Sequence, residues 1–111
     1  MAFVNAKREE IYWVELDPVR GCELNKTRPA VIVSRDELNA RLETVVVCPL
    51  TSSLHTGWRC RMQIEVAGKP AEIAADQIRT ISKTRLRQRL GVLAAAEATT
   101  LRRMMAELYG E

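Results

Sequence analysis

Apolar and polar residues alternate most regularly between residues 60 and 66. Every second position in this segment is apolar, namely Cys60, Met62, Ile64 and Val66. A period of two predicts a strand with one buried and one exposed face. Turn residues over 67–70 and a returning segment over 71–75 indicate that this strand forms a hairpin with the next one, which we expect to continue over 76–81.

Three other segments are rich in branched and apolar residues. The segment 11–16 ends at Asp17-Pro18, a turn signal, and predicts a strand. The runs 30–34 and 44–50 are apolar at consecutive positions, which predicts central strands buried on both faces. Arg28-Pro29 opens the first of these runs, where a strand tolerates proline.

Helical signals are fewer and concentrate at the end of the chain. Ser34 and Glu37 have the spacing of a capping box, which predicts a short helix through Leu42. Ser82 is placed to cap a helical turn over 83–86, before a short strand or extended link over 87–93. The segment 95–109 predicts a helix that ends at Gly110. Its apolar face is formed by Ala98, Leu101, Met105 and Leu108.

Five to seven short strands with tight turns predict a mainly β fold, a small antiparallel barrel with a C-terminal helix. The length of 111 residues fits a single domain over 1–111. Aromatic residues are only 5% of the chain, so the core must be built from Val, Ile, Leu, Met and Ala. A core of this size is modest, and dimerisation would be a natural supplement to it.

The net charge of +3 and the pI near 9.0 are compatible with a nucleic-acid partner without demanding one. Cations cluster in two places. The segment 79–89 holds five cations and no acid, and Arg20, Lys26 and Arg28 have only Glu23 among them. These clusters are either solvated faces or contacts for a phosphate backbone.

The residue inventory excludes several chemistries. With a single histidine, His55, and no metal-ligand spacing, we expect no zinc site. The chain has no Gly-x-Ser-x-Gly elbow and no glycine-rich phosphate loop, so we expect no bound cofactor. Cys22, Cys48 and Cys60 form no Cys-x-x-Cys pair and are expected to be reduced, mostly buried thiols. Without a membrane-length apolar run or a signal peptide, we expect a cytoplasmic protein.

The residues of this chain are compatible with RNA cleavage, because RNA carries its own nucleophile in the 2'-hydroxyl. A protein that aligns this hydroxyl with the adjacent phosphate needs proton-transfer groups and cations that stabilise the added charge on phosphorus. Arginine, threonine and a carboxylate would suffice.

Four blocks of the chain resemble the MazF/PemK/Kid toxins. The first contains Gly21-x-Glu23 followed by Arg28-Pro29 and Ser34. The others, in matching order, are 45–52, 75–81 and 85–93. Each block is short, but their order and separations together cover most of the chain from Ile11 onward.

This resemblance implies an SH3-like barrel of the CcdB/MazF type and a homodimeric, metal-independent endoribonuclease of a type II toxin–antitoxin system. Such toxins cut single-stranded RNA at short sequences, leave 2',3'-cyclic phosphate and 5'-hydroxyl ends, and arrest growth. The implied partner is a small MazE-like antitoxin whose disordered tail covers the RNA groove.

By position, Arg28 and Thr51 match the family's catalytic arginine and threonine, Glu23 its loop glutamate and Asp76 an acid of the Kid branch. The arginine that the Kid branch has two residues before this acid is Ala74 here. An arginine stays protonated, so we expect Arg28 chiefly to stabilise the developing dianion, with donation of a proton to the leaving oxygen as a second role. We expect Thr51 to hydrogen-bond a phosphoryl oxygen and Glu23 to accept the 2'-hydroxyl proton.

A supporting or RNA-binding role is predicted for a wider set of residues: Asp76, Arg79, Lys26, Ser52, Ser53, His55 and Trp58. Simpler roles stay open for several of them. Glu23 could order its loop through Lys26 or Arg28, Asp76 could cap a backbone corner, and His55 could face solvent. Arg28 could form a surface salt bridge, and Thr51 and Ser52 could satisfy the backbone of a turn. Trp58 could stack a base or pack in the core.

Two other functions on the same fold stay open. A CcdB-like protein inhibits DNA gyrase by protein contact and cuts nothing. An inactive nucleic-acid-binding or regulatory module would retain the fold and lack the catalytic activity. Gyrase inhibition does not require Arg28 together with Thr51, so that pair favours the ribonuclease.

Overall fold

The computed structural model describes residues 5–15 and 27–110. Within these ranges the chain forms seven strands and two α-helices. The strands are β1 (Glu10–Glu15), β2 (Thr27–Ile32), β3 (Thr44–Thr51), β4 (Arg61–Val66), β5 (Lys69–Ala74), β6 (Arg79–Ser82) and β7 (Leu86–Val92). The helices are α1 (Asp36–Asn39) and α2 (Ala95–Tyr109), and short 3-10 turns cover Ala75–Gln77 and Lys83–Arg85.

The strands form one strongly bent antiparallel sheet in the order β4-β5-β3-β2-β1-β7, with β6 also paired to β3. The eight-residue strand β3 joins the two parts of the sheet. Its first half pairs with β6, its middle with β2 and its last two residues with β5. The result is the mainly antiparallel half-barrel with a C-terminal helix that the sequence predicts.

Buried side chains cover both faces of the central strands. One cluster contains Val31 and Cys48, and the other contains the neighbouring Ile32 and Val47. Neighbouring residues of a strand point to opposite faces, so the consecutive apolar residues of β2 and β3 fill both clusters. The prediction of doubly buried central strands is therefore confirmed.

Helix α2 closes the first of these clusters. Its bounds are those predicted, and Ala98 and Leu101 are buried in the core. Met105 is half-buried, whereas Leu108 is exposed, so the predicted apolar face is wrong at its last turn. The end of α2 is held to the 3-10 turn by Tyr109, whose hydroxyl donates to the carbonyl oxygen of Ala75 at 2.7 Å.

The predicted capping box at Ser34 is wrong. Helix α1 is a single turn whose N-cap is Arg35, with no side-chain cap hydrogen bond. The Ser34 hydroxyl instead donates to the Asn39 side chain and accepts from the backbone N–H of Val46 at 3.1 Å. This hydroxyl thus ties α1 to β3, and the bond to β3 competes with capping. Strand β2 also ends earlier than predicted, at Ile32.

The β4–β5 hairpin has the predicted alternation, but its turn is tighter. Ala67 and Gly68 both have positive φ angles, +53° and +78°, typical of a two-residue type I′ turn. Lys69 and Pro70 already belong to β5. A 3-10 turn interrupts the predicted continuation from 71 to 81, which separates β5 from β6. The Ser82 cap is confirmed, because its side chain accepts from the backbone N–H of Thr84.

Cys48 is buried and Cys60 half-buried, and both are free thiols, while Cys22 lies outside the described residues. Burial, with a smaller effect of the Asp76 charge, raises the pKa of the Cys48 thiol to about 12, so this thiol is protonated and inert. No helix within residues 5–15 and 27–110 is long and apolar enough to span a membrane.

Candidate active site

Strands β2 and β3 bring Arg28 and Thr51 to the same face of the sheet. Their antiparallel register pairs Ala30 with Pro49 and Val31 with Cys48. Extrapolated by two residues beyond these pairs, the register places Arg28 opposite Thr51, and both residues line the same pocket. Directly opposite residues in an antiparallel pair share a face, with Cβ atoms about 5 Å apart. Thr51, the last residue of β3, and Arg28, the second residue of β2, therefore lie at one edge of the sheet.

A pocket of about 350 Å³ opens at this edge, and both residues line it. Arg61 from β4 and Arg79 from β6 reach the same pocket, together with His55 from the loop after β3. The guanidinium group of Arg28 suits the binding of a phosphate group in this polar pocket, since phosphate geometry matches its planar N–H fork, and Arg61 and Arg79 add positive charge around it.

A second pocket of about 440 Å³ adjoins the first, and Arg28 and Thr51 line it too. Its walls are mainly apolar, with Trp13, Leu50 and Leu90 among them, and Ser52 and Lys69 also line it. The two pockets together form a surface in which a cationic compartment lies beside an apolar one. Such a combination fits a nucleotide, whose phosphate is charged and whose base is flat and largely apolar.

The Thr51 hydroxyl is oriented by the loop that follows it. Its Oγ1 accepts a hydrogen bond from the backbone N–H of Ser53 at 3.1 Å. Since this bond uses a lone pair of the oxygen, the hydroxyl hydrogen can be donated to a ligand in the pocket.

Behind the pocket lies a network of charged side chains on β4 and β5. Glu72 is completely buried, with 0% of its side chain exposed, and Arg61 is 7% exposed. Arg61 donates through Nη1 to Glu72 Oε2 at 2.7 Å and through Nε to Asp76 Oδ1 at 2.7 Å. A second guanidinium nitrogen lies 3.4 Å from Asp76 Oδ2, so the Arg61–Asp76 pair is bidentate.

Glu72 accepts hydrogen bonds at both carboxylate oxygens. Oε1 accepts from the backbone N–H of His55 and from the Gln63 amide, and Oε2 from Arg61 and His55 Nδ1. Burial raises the pKa of this carboxyl, but these hydrogen bonds outweigh it and bring the pKa to about 2. The hydrogen bond from Arg61 likewise lowers the pKa of Asp76, against a smaller effect of burial. Both carboxylates are therefore ionised at neutral pH.

His55 is the link between this network and the pocket. Its Nδ1 lies 2.8 Å from Glu72 Oε2, and 32% of its side chain is exposed. The Trp58 ring lies against the imidazole with centroids 4.2 Å apart, and the Arg61 guanidinium lies 5.1 Å from the Trp58 centroid. Trp58 itself is 52% exposed. His55 is thus a held, partly buried residue rather than a solvent-facing loop residue.

The structure gathers some of the predicted site residues and separates others. Arg28, Thr51, Arg79 and His55 line the polar pocket, and Ser52 lines the apolar one. Ser53 orients Thr51 through its backbone.

The remaining predicted residues lie elsewhere. Asp76 lines neither of these two pockets and instead holds Arg61, with 38% of its side chain exposed. Trp58 packs on His55 and Arg61 rather than in the core. Glu23 and Lys26 lie outside the described residues.

Sequence reasoning missed Arg61 and Glu72. The alternation of β4 places Arg61 on the polar face, where it reads as a solvated charge. Glu72 stands in an otherwise apolar segment, Ala71 to Ala75, which is unusual for a glutamate and could have been noticed. The hairpin register, which pairs Gln63 with Glu72 and Arg61 with Ala74, would then have brought these charges together.

The described residues define a small, mostly antiparallel β half-barrel with a C-terminal helix and an arginine-lined polar pocket at one edge of the sheet. The family model described as "PemK-like, MazF-like toxin of type II toxin-antitoxin system" matches residues 7–109. The chain therefore belongs to the PemK/MazF toxin family.

Relatives in sequence agree with this assignment. Endoribonuclease MazF9 of Mycobacterium tuberculosis is 35% identical over 104 residues, covering 86% of this chain and 88% of that protein. Endoribonuclease MazF of Staphylococcus epidermidis is 30% identical over 97 residues, covering 82% of this chain and 80% of that protein.

Solved structures agree on the fold. An endoribonuclease from Mycobacterial species has a TM-score of 0.80 at 22% identity, covering 97% of this chain and 94% of that one. An endoribonuclease from Mycobacterial species in complex with its cognate antitoxin has a TM-score of 0.79 at 24% identity, covering 95% of each chain. These likenesses confirm the expected MazF-type fold, a mostly antiparallel β half-barrel with a C-terminal helix.

Proposed function

We propose that this chain is the toxin of a type II toxin–antitoxin system and a metal-independent, sequence-specific endoribonuclease that cuts single-stranded RNA in the cytoplasm. The observation that carries the proposal is the shared pocket of Arg28 and Thr51, into which Arg61 and Arg79 also reach. Family membership over residues 7–109 supports a single toxin domain over the chain.

The proposed reaction uses the RNA's own 2'-hydroxyl as nucleophile. Its oxygen attacks the adjacent phosphorus, the bond to the 5'-oxygen breaks, and the products are a 2',3'-cyclic phosphate and a 5'-hydroxyl. Arg28 stabilises the dianionic transition state through its planar N–H fork, and Thr51 donates its hydroxyl hydrogen to a phosphoryl oxygen. No cofactor takes part in this scheme.

Other residues bind the strand around the scissile phosphate. Arg79 adds positive charge in the pocket, and Ser52 contacts the nucleotide from the apolar side. Trp58 offers an exposed ring for base stacking beside His55. Asp76 supports the site through its bidentate contact with Arg61.

Glu23 and Lys26, in the segment of the sequence that precedes β2, belong to the same proposal. Glu23 is a carboxylate near the scissile phosphate by its match to the family motif, and Lys26 adds charge near the phosphate backbone.

We also propose that the active form is a homodimer and that a MazE-like antitoxin is its partner. The support for the antitoxin is the likeness to an endoribonuclease solved in complex with its cognate antitoxin, at a TM-score of 0.79. The support for the dimer is the modest core of a chain of 111 residues.

Incubation of the purified protein with a mixed-sequence single-stranded RNA in EDTA tests the function. We expect cleavage at a short sequence, with cyclic phosphate and 5'-hydroxyl ends. The Arg28→Ala variant should lose cleavage by at least about 100-fold, the typical effect of removing one transition-state donor. Its fold should remain, because Arg28 is exposed.

Arg35→Ala is the matched control, since Arg35 is an exposed arginine whose salt bridge is with Glu37. It should cleave like the wild type. Intact RNA with the wild-type protein, combined with inhibition of gyrase supercoiling, would instead support the CcdB-like function. An active Arg28→Ala variant would show that the site is misplaced.

A further inference from the structure

His55 stands between a buried carboxylate and the proposed RNA pocket. Glu72 holds it twice, by the backbone N–H at Oε1 and by the imidazole Nδ1 at Oε2, 2.8 Å away. The same side chain lines the pocket that contains Arg28 and Thr51. A histidine oriented by a buried carboxylate and exposed to a ligand pocket is the arrangement that catalytic histidines use for proton transfer.

The hydrogen bonds around Nδ1 define the tautomer. Arg61 Nη1 lies 3.1 Å from Nδ1, and both atoms lie within 2.8 Å of Glu72 Oε2. A guanidinium only donates and an ionised carboxylate only accepts. Both nitrogens therefore donate to Oε2, and the contact between them is proximity rather than a hydrogen bond. Nδ1 then carries the hydrogen, and Nε2 of the neutral ring is an unprotonated acceptor.

The Trp58 ring also holds the imidazole in place, and Arg61 in turn supports Trp58. Trp58 lies 4.2 Å from the imidazole, centroid to centroid, and Arg61 packs on Trp58 while Asp76 holds Arg61. Because Nδ1 is bonded to the completely buried Glu72, Nε2 on the opposite edge is the ring nitrogen left for a ligand of the pocket. Such support from neighbouring side chains is what a proton-transfer group needs to keep its geometry.

We propose that His55 is the proton-transfer residue of the RNA cleavage, a role that rests on the function proposed above, and that Glu72 is its positioning residue. Nε2 takes the proton of the attacking 2'-hydroxyl as the bond from the 2'-oxygen to phosphorus forms. The bond from phosphorus to the 5'-oxygen breaks, and the 5'-oxygen takes a proton from water. The imidazolium returns its proton to the hydroxide so formed, and no proton is consumed overall.

This role gives the base to an imidazole, whose ring nitrogen has a lone pair that can accept a proton, whereas a guanidinium group only donates hydrogen bonds. It differs from the expectation that Glu23 accepts this proton. The two assignments predict loss of activity in different variants. Removal of the residue that acts as the base should abolish the chemical step and leave the phosphate contacts of the pocket in place.

Two substitutions of His55 test the proposal. His55→Asn keeps a donor near the position of Nδ1 for Glu72 but cannot transfer a proton, and His55→Ala leaves room for free imidazole. We expect the single-turnover cleavage rate of both to fall by about 100- to 10,000-fold, the usual contribution of general base catalysis. Affinity for a non-cleavable 2'-deoxy analogue should change by less than about threefold, because the phosphate contacts remain.

Added imidazole should restore part of the rate of His55→Ala and none of the rate of His55→Asn. Thr56→Ala, an exposed neighbour in the same loop, is the matched control and should cleave like the wild type. Cleavage by His55→Asn within about threefold of wild type would overturn the proposal, where threefold marks an effect far below general base catalysis. A lost rate that imidazole leaves unchanged in His55→Ala would overturn it as well.

The role of Glu72 is tested in two backgrounds. Glu72→Gln should slow cleavage in the wild-type protein but cause no further loss in His55→Asn, since it acts through the imidazole. A purely structural role would slow both to the same extent and would overturn the positioning assignment. Glu65→Gln, an exposed glutamate on β4, is the control.

Failure of this inference can be told apart from failure of the proposed function. If the wild-type protein leaves RNA intact, the proposed function and the proton-transfer role of His55 are both overturned. If it cleaves RNA and depends on Arg28 but not on His55, the function stands and only the proton-transfer role is overturned.

Discussion

Arg28 and Thr51 line one pocket because β2 and β3 are antiparallel neighbours, and the proposed mechanism uses the two residues as a pair. A guanidinium offers several N–H donors in a plane, and a hydroxyl adds one more from the side. Donors that are already positioned stabilise developing charge without reorganisation during the reaction. The catalytic power proposed for the site therefore depends on donor placement rather than on an activated protein nucleophile.

Thr51→Val tests the hydroxyl alone. Valine keeps the shape of threonine and removes only the donor, so the single-turnover rate should fall by about 100-fold or more, as for one lost donor in an oxyanion site. Folding should be little affected, because the hydroxyl accepts only the Ser53 N–H among the hydrogen bonds described.

Thr100→Val on the exposed face of α2 is the matched control and should keep the wild-type rate. Rates and urea denaturation curves of the two variants are to be compared. An unchanged rate in Thr51→Val would remove the hydroxyl from the mechanism.

At the residue scale, the motif match identified the pocket residues Arg28 and Thr51 directly, since short motifs keep the residues that touch the substrate. It could not identify Glu72 or Arg61, which act behind the surface. Their importance comes from burial and from partners on other strands, and neither property is visible along the chain.

Among the elements, the β4–β5 hairpin does most to position the proposed site. It carries Arg61 and Glu72, and the 3-10 turn that follows adds Asp76. Two carboxylates and a guanidinium with 7% exposure form a nearly closed ionic network. Removing one partner from such a network leaves an uncompensated buried charge, which costs about 3–5 kcal/mol.

This network predicts a specific acid sensitivity. The pKa of Glu72 is about 2 in the folded protein, lowered from 4.5 because hydrogen bonds outweigh burial. The unfolded chain therefore binds this proton more readily, and the stability that Glu72 contributes is complete above about pH 5. It is lost as pH falls from about 4.5 towards 2, in total about 3 kcal/mol by proton linkage. Protonation of Asp76 at low pH lowers the free energy of unfolding further, since the pKa of Asp76 is also lowered in the folded protein.

Urea unfolding between pH 7 and pH 2 measures this effect. Glu72→Gln should be less stable than wild type at pH 7, and the difference should shrink as pH falls through that range. Glu65→Gln, on the exposed face of β4, should follow the wild-type curve. A constant difference between Glu72→Gln and wild type at all pH values would contradict the ionised, hydrogen-bonded Glu72.

Elements with strong periodicity were predicted well from the sequence. Helix α2 has the predicted bounds, and β4 the predicted alternation, because each buries one face against the core. Predictions from short polar signals did worse. The Ser34–Glu37 spacing failed as a cap because the Ser34 hydroxyl bonds to Val46 and Asn39, partners that only the folded sheet brings close.

For the whole molecule, the bent sheet converts residues far apart in sequence into one surface. Arg28, Thr51, His55, Arg61 and Arg79 come from four strands and a loop, and they meet where β3 passes between two parts of the sheet. The composition predicted only a mild positive charge. The concentration of that charge in one pocket is a property of the fold, and it favours a phosphate backbone as the ligand.

The central claim is that the RNA supplies the nucleophile while the protein stabilises the phosphorus. The direct test is an RNA oligonucleotide that contains the cleaved sequence and a single 2'-deoxynucleotide on the 5' side of the scissile phosphate. The same substitution two nucleotides away serves as the control. The account predicts no cleavage of the first oligonucleotide and normal cleavage of the second. Cleavage of the first would show that an external nucleophile such as water attacks the phosphate, and would contradict the account.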